Sequence, residues 1–353
     1  MRRLDSIRDK LRAQEADVFL VTSPINRRYL TGFTGSAGTV WISADKQAIL
    51  TDFRYVEQVK EQCPDWELIE IEDVNTSLKT LIDDQNVKKI VYEKDFVTVG
   101  LLEEWEKNLN AKFVPIGGWV QEMRIIKKSE EIEFIRQAAQ IGDRAFAKLL
   151  PTINSGITES ELAIELEYIV RKMGAEGMSF DPIVASGPRS ALPHARPGER
   201  VLSVGDFVVF DFGCIVNGYC SDMTRTIVIG EPEERHMLIY DLVLKAQKES
   251  LAAIAPGKTG AEIDAVAREI ISDAGYGEYF GHGLGHGVGL EIHENPRLSR
   301  RDDTVLEPGM VVTVEPGIYL PDFGGVRIED MVVVTDEGCD VLTSTFKELY
   351  VVE

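Results

Sequence analysis

A chain of 353 residues has room for two domains of ordinary size and a large core. With 44% hydrophobic and 27% charged residues, and no apolar run near the ~18 residues a membrane span needs, it reads as a soluble globular protein. A net charge of −21 argues against nucleic acid or an anionic membrane as partner, while part of that negative charge could await cations.

The opening stretch, MRRLDSIRDKLRAQEADVFLVTSP, predicts an amphipathic helix followed by a short strand, without the h-region and small-residue cleavage site of a signal peptide. Cys63, Cys214, Cys220 and Cys339 form no CxxC pair and no disulfide framework, which fits a reducing cytoplasm. Up to residue 124, strand patterns ("DVFLVTS", "GTVWIS", "QAILTD", "WELIEIE", "KKIVYE") are interleaved with helical ones ("FRYVEQVKEQ", "GLLEEWEKNL"), so this part predicts an α/β domain of its own. It holds no cluster of catalytic residue types and reads as scaffold, cover or oligomer contact. "GFTGSAG" (32–38) lacks the GK[ST] of a phosphate loop and is expected to be a turn between strands.

A second domain, 125–353, opens with a helix at Ser129, acidic in its first turn at Glu130 and Glu131. Its apolar stripe runs Ile132, Ile135, Ala139, Phe146 and Leu149, and Pro151 ends it. From there the chain repeats itself. Thr158 and Glu161 form a capping box before Leu162, Leu166, Ile169 and Met173, ending at Gly174. Thr259 and Glu262 form another before Ile263, Val266 and Ile270, ending at Gly275. In "PGKT" (256–259) no P-loop glycine stands at the required place, so Gly257 reads as a helix stop and Thr259 as the next cap. Further on, "GDFVVFDFG" (205–213) aligns with "GMVVTVEPG" (309–317), placing Asp211 over Glu315, and Gly218 and Asp222 align with Gly325 and Glu329. These ordered landmarks predict two copies of one helix-then-strands unit related by a pseudo-two-fold.

In the first copy, Asn217-Gly218 is a strong hairpin signal. Pairing across it sets Val216 opposite Tyr219 and Gly213 opposite Asp222, so Asp211 shares a face with Asp222 as its diagonal neighbour, at about 7–8 Å between Cα atoms. In the second copy, Glu315 stands just before an expected Pro316-Gly317 turn, and Glu329 lies in an apolar strand with Arg327 on the same face and Asp330 on the other. Four carboxylates converging in apolar surroundings repel one another unless positive charge lies between them, and two divalent cations would balance them.

"GHGLGHGVGLEIHENP" (281–296) holds three of the five histidines. Its glycines argue against a helix and for an extended segment, with one bare face open to close approach by backbone or ligand. Extended, His282 and His286 would stand about 13 Å apart, too far to grip one ion. His286 is the candidate imidazole ligand. Hard oxygen donors with one imidazole suit Mn²⁺, Co²⁺ or Fe²⁺, with Zn²⁺ admissible. A pair of such ions activates water and polarises a carbonyl, which points to hydrolysis of an amide, ester or phosphoester without choosing among them. His236, in "PEERHM", reads as a surface helix residue. Alternation also puts Arg327 on the metal-facing side, where it would orient Glu329 or a neighbouring aspartate.

Asp211…Asp222, His286, Glu315 and Glu329, with "ASGPRSALPHARP", "NGYCSDMTRT", "TVEPGIYLP" and "GGVRIED", resemble the superfamily of methionine aminopeptidase, prolidase, aminopeptidase P and creatinase. The resemblance is closest to the Xaa-Pro dipeptidase (prolidase) and aminopeptidase P family. It implies an α/β (α+β) chain: a creatinase-type N-terminal domain over 1–124, then a pita-bread catalytic domain over 125–353 with a curved, mainly antiparallel sheet. It implies that Asp211, Asp222, His286, Glu315 and Glu329 bind two divalent ions, most expectedly Mn²⁺, and that Glu315 also handles the proton of a bridging hydroxide that attacks the scissile carbonyl. By the same resemblance His194 and His293 touch substrate and developing oxyanion, and His282 lies near the leaving-side residue. The implied activity is hydrolysis of Xaa-Pro dipeptides, with aminopeptidase P action on longer Xaa-Pro peptides as the alternative, in a cytoplasmic homodimer. Creatinase and the non-catalytic relatives lack the intact ligand set. A methionine aminopeptidase would not need the N-terminal domain.

Overall fold

The structure, a computed structural model, describes residues 3–353. The first two residues of the expected N-terminal helix lie outside that range, and the helix is described from Arg3 to Ala13, with Ile7 and Leu11 buried. The chain divides into two compact units at Arg124/Ile125. No helix among the described residues is long and apolar enough to cross a membrane.

In the first unit the described residues form a six-stranded sheet. Its order is Glu67–Glu70, Gln47–Thr51, Thr39–Ser43, Val18–Val21, Lys89–Glu93 and Lys112–Ile116. Val18–Val21 is buried throughout because it is central, antiparallel to Thr39–Ser43 and parallel to Lys89–Glu93. The sixth strand, KFVPI, escaped the sequence reading because its proline speaks against a strand, and here it sits at an edge where that proline is tolerated. "GFTGSAG" is corrected: it joins helix Pro24–Thr31 to strand Thr39–Ser43 and is not a turn between strands. Buried Arg27, on that helix, holds the loop by donating to the Gly35 and Gly38 carbonyls at 2.6 and 2.5 Å. A link through a side chain outside the loop leaves no pattern in the loop's own sequence.

The second unit is built from the expected repeat. Helices Glu159–Lys172 and Gly260–Asp273 both carry the capping box, with Thr158 and Thr259 as N-caps, and both are followed by a glycine in the left-handed region, Gly174 (φ +100°) and Gly275 (φ +84°). The buried stripe of the second helix is Ile263, Ala267 and Ile271, with Asp264 beside it; Val266 and Ile270 are only half-buried. Gly257 does not stop a helix, since the preceding one ends at Ala253.

Strand Phe207–Phe212 runs antiparallel to Met223–Ile229 with Asp211 opposite Thr224. Asn217 and Gly218, at φ +47° and +75°, turn the chain between them and leave Val216 opposite Tyr219. Strands Val311–Val314 and Asp330–Val334 repeat the pairing. Pro316-Gly317 is not a turn: Gly317 opens strand Gly317–Leu320, which pairs with Gly324–Arg327, and the chain reverses at 321–323. His236 is also corrected. It is 4% exposed, its ring lies against Phe207 and Phe323, its Nδ1 accepts from the Glu233 N–H, and its Nε2 lies 3.1 Å from the Gly205 carbonyl. It serves as the returning partner of a helix cap rather than as surface.

The glycine-rich histidine segment is strand only over Gly285–Gly287, between Glu294–Leu298 and Val311–Val314, with a register shift between His286 and Gly287. A bulge of this kind re-aims a side chain, which is why simple alternation does not describe the whole run. The bare face does admit backbone on both sides. A Cβ on Gly285 would fall 2.0 Å from the Thr313 carbonyl oxygen, and one on Gly287 would fall 2.4 Å from that of Asn295. Gly285→Ala is therefore expected to destabilise the protein by about 3 kcal/mol, the upper end of ordinary overpacking, because the obstructing atom is backbone. A thermal midpoint equal to that of the parent protein would contradict this packing.

Candidate metal centre

Asp211 and Asp222 come from the first hairpin, Glu315 and Glu329 from the second unit's repeat of it, and His286 from the short glycine strand. Asp222, His286 and Glu329 are 4%, 6% and 1% exposed, while Asp211 and Glu315 are half-buried in the wall of a cavity of about 510 Å³. Ligand atoms of Asp222, His286 and Glu329 lie within 4.8 Å of one another. His286 Nε2 stands 3.5 Å from Asp222 Oδ2 and 3.4 Å from Glu315 Oε1.

The protonation pattern makes this arrangement repulsive. His286 Nδ1 lies 3.1 Å from the Gly287 carbonyl, which can only accept, so Nδ1 carries the proton and Nε2 turns a lone pair toward the carboxylates. Burial holds the ring neutral, with its pKa lowered to about 3. Burial, then the neighbouring Glu329 and Asp211, push Asp222 well above the carboxylate range; burial, then Glu315 and Asp211, do the same to Glu329. Burial pushes Glu315 up to about 8. Asp211 Oδ1, Asp222 Oδ1 and Glu329 Oε1 are buried without a hydrogen-bond partner among the described residues. Lone pairs meeting lone pairs, with oxygens left over, are what a cation-binding cluster presents, and these donors suit hard divalent ions. Burial pushes the thiols of Cys214 and Cys220 up to about 11 and 12, so neither offers a thiolate.

Behind these donors lies a polar layer. Arg327, 3% exposed, donates from Nη2 to Asp211 Oδ2 (2.6 Å), from Nε to Thr224 Oγ1 (3.1 Å) and from Nη1 to Tyr319 Oη (2.8 Å). Thr224 Oγ1 in turn donates to Glu329 Oε2 at 2.7 Å. Arg327 thus reaches an aspartate directly and Glu329 through a threonine. Thr313 Oγ1 donates to Glu315 Oε1 (3.2 Å) and accepts from the His286 N–H (3.1 Å). Thr224 and Thr313 escape the sequence reading, though each stands two residues from a carboxylate of the cluster, Asp222 and Glu315.

His194 and His293 line the same cavity, and the His293 ring meets that of His286 at 4.4 Å between centroids. His282 lines it too, but both its nitrogens are engaged, Nδ1 with the Gly283 carbonyl at 2.7 Å and Nε2 with the Tyr319 hydroxyl at 2.8 Å. It therefore has no nitrogen left for a substrate in this arrangement. The segment carrying it hangs from helix Gly260–Asp273. Asp264 accepts from the Leu284 N–H, and Arg268, paired with Asp264, donates to the Phe280 and His282 carbonyls.

With no cation bound, the folded protein keeps protons on Glu315, Asp222 and Glu329 that ordinary carboxyls, with pKa values near about 4, have released in the unfolded chain. The state that binds more protons loses stability as pH rises. The buried histidines, His286 above all, oppose this below about pH 6.5, where the unfolded chain protonates them, so chelator-treated protein is expected to melt at progressively lower temperature between about pH 6.5 and pH 8. A bound divalent cation replaces those protons and should flatten the trend. Melting temperatures at about pH 6.5 and 8, with and without metal, check it, and parallel slopes would contradict it.

Residues 133–336 match metallopeptidase family M24, and residues 3–126 match the creatinase/prolidase N-terminal domain. The chain is 40% identical over 351 residues to an Xaa-Pro dipeptidase of Pyrococcus furiosus, covering 98% of this chain and 99% of that one. Among solved structures, an Xaa-Pro dipeptidase from Bacillus anthracis superposes with a TM-score of 0.97 at 46% identity, over 99% of each chain. An X-Pro aminopeptidase from Thermotoga maritima superposes at 0.93 with 41% identity, over 99% of this chain and 100% of that one. The chain belongs to metallopeptidase family M24, with a creatinase/prolidase N-terminal domain ahead of a pita-bread catalytic domain.

Proposed function

We propose that this metallopeptidase hydrolyses the bond between an N-terminal residue and the proline that follows it, acting on Xaa-Pro dipeptides. The observation that carries the reading is the set of mutually repelling donors, Asp211, Asp222, His286, Glu315 and Glu329, at the wall of a peptide-sized cavity. These side chains would hold two divalent ions, Mn²⁺ by family resemblance with Co²⁺, Fe²⁺ or Zn²⁺ also admissible. When bound, the ions would activate water and polarise the scissile carbonyl.

The chain's own residues supply the rest. Glu315, held at the cavity wall by Thr313, takes the proton of the attacking water and returns it to the proline nitrogen as the C–N bond breaks. His194 and His293 donate to the carbonyl oxygen as it gains negative charge. Arg327 holds Asp211 in place through their 2.6 Å contact. His282 acts through Tyr319 and Arg327 rather than on the substrate. Arg297 also lines the cavity. A cation there favours a dipeptide, whose free carboxylate lies on the proline itself, over a longer peptide, where that carboxylate is displaced. The second reading, aminopeptidase P action on longer Xaa-Pro peptides, draws support from the likeness to the Thermotoga maritima X-Pro aminopeptidase. A homodimer in the cytoplasm completes the proposal by the same resemblance and by the composition.

Chelated protein is expected to be inactive and to regain turnover of Ala-Pro on titration with Mn²⁺ or Co²⁺, with little action on Ala-Ala. Full activity without metal would overturn the mechanism. Cleavage of Ala-Pro-Ala but not Ala-Pro would replace the dipeptidase reading with the second one. The histidines should separate by role. His286→Ala should lose metal and activity together, whereas His194→Ala and His293→Ala should keep both ions and lose about 10²–10³-fold in kcat, the usual cost of one oxyanion donor. Metal content measured beside kinetics tests this, and loss of metal in His293→Ala would contradict the assignment.

A further inference from the structure

Glu159 is a carboxylate with 0% exposure that belongs to none of the groups described above. It is the first residue of helix Glu159–Lys172, where the helix dipole favours negative charge, but its hydrogen bonds reach outside the helix. Oε1 accepts from the Ser186 N–H (2.8 Å), the Ser186 hydroxyl (2.8 Å) and Arg189 Nε (3.2 Å). Oε2 accepts from Arg189 Nε (3.0 Å) and the Gly198 N–H (3.1 Å).

Ser186 and Gly198 are the two ends of one loop, residues 187–197, and His194 stands on it. The helix backbone reinforces the second end: the Glu159 N–H donates to the Arg200 carbonyl at 3.1 Å, and the Ser160 N–H to that of Gly198 at 3.0 Å. Arg189 Nη2 also donates to the Arg196 carbonyl, so the arginine that neutralises Glu159 grips the loop two residues past His194. A loop whose two ends meet on one rigid acceptor loses most of its freedom at that point.

We propose that Glu159 is the positioning residue for His194, its carboxylate closing the loop that holds this imidazole at the cavity wall. The inference rests on the reading that His194 donates to the substrate carbonyl. An amide in place of the carboxylate has one acceptor atom instead of two and turns N–H donors toward N–H donors, so the closure cannot be remade.

The test uses the metal-loaded full chain and Ala-Pro. Glu159→Gln is expected to keep its metal content and lose roughly 10–100-fold in kcat, the scale for partners that orient a reacting group, with a smaller change in KM. In a His194→Ala background the same substitution should change kcat by less than about twofold, because a residue acting through His194 has nothing left to position. Arg189→Ala, at a half-exposed side chain, should show the same pattern and serves if Glu159→Gln folds poorly. An equal loss in both backgrounds, or loss of metal along with activity, would overturn the proposal. Hydrogen exchange over residues 187–197 should quicken in Glu159→Gln whatever peptide is cleaved. Unchanged exchange overturns the closure itself, while wild-type kcat in His194→Ala overturns the role of His194 on which the proposal rests.

Discussion

Four carboxylates and an imidazole lone pair face one another at the wall of one cavity, and each disfavours the charge of the rest. Left to themselves such groups would swing apart or take up protons, as the raised affinities of Asp222, Glu329 and Glu315 express. The surrounding fold works against that relaxation. Glu329 is pinned by Thr224, Glu315 by Thr313, Asp211 by Arg327, and the His286 ring by the Gly287 carbonyl. A binding site strained by its own charge and held from behind is pre-organised for cations, since little rearrangement remains to be made when they arrive.

Two of these four contacts, Thr224 with Glu329 and Arg327 with Asp211, run across the pseudo-two-fold. Thr226 of the first hairpin exchanges hydrogen bonds with the backbone of Arg327, and the Glu329 N–H donates to the Thr224 carbonyl. The neighbours Glu329 and Asp330 show how sharply a strand separates its two faces. Glu329 turns to the cluster and is pushed up. Burial also opposes charge on Asp330, but Arg225 and Lys347 outweigh it and hold its carboxyl below the ordinary value. Arg225 ties that pair onward to the carbonyls of Thr345 and Phe346, so the C-terminal segment is fastened beside Glu329 and Asp330. The histidines at the cavity are suspended in a comparable way: the His194 loop from Glu159, the His282 segment from Asp264 and Arg268, and His293 next to Glu294, which pairs with buried Lys127. The N-terminal unit keeps its own sheet and core, and its strand Val18–Val21 draws the same burial from central placement rather than from any site chemistry.

Much of this is legible in the amino-acid sequence alone. Period-two alternation puts Asp211 beside Asp222 and Arg327 on the side of the clustered carboxylates, and the Asn217-Gly218 turn sets the register that makes the first statement definite. The capping boxes at Thr158 and Thr259 marked both repeat helices because their signal is local, four residues long and chemically specific. Errors fell where a local pattern meets a distant partner. His236 looked like surface because nothing near it in the chain announces Phe207 and Phe323. The stripe of the second repeat helix was displaced because Asp264, a polar residue, is buried there by a contact with Arg268 and the backbone of Leu284.

The sequence by itself determined which carboxylates share a face, their pairing on two hairpins, the repeat that brings the pairs together and the glycines that clear room beside His286. These are consequences of backbone periodicity and steric allowance, which act within a few residues. Only the tertiary structure decided that both nitrogens of His282 are spent on Gly283 and Tyr319, that Arg327 reaches Asp211 in the other half, and that Glu159 joins Ser186 to Gly198. Each depends on hydrogen-bond directions between segments remote in the chain, and a donor's partner is set by which acceptor packing leaves within about 3 Å, a distance no sequence spacing contains.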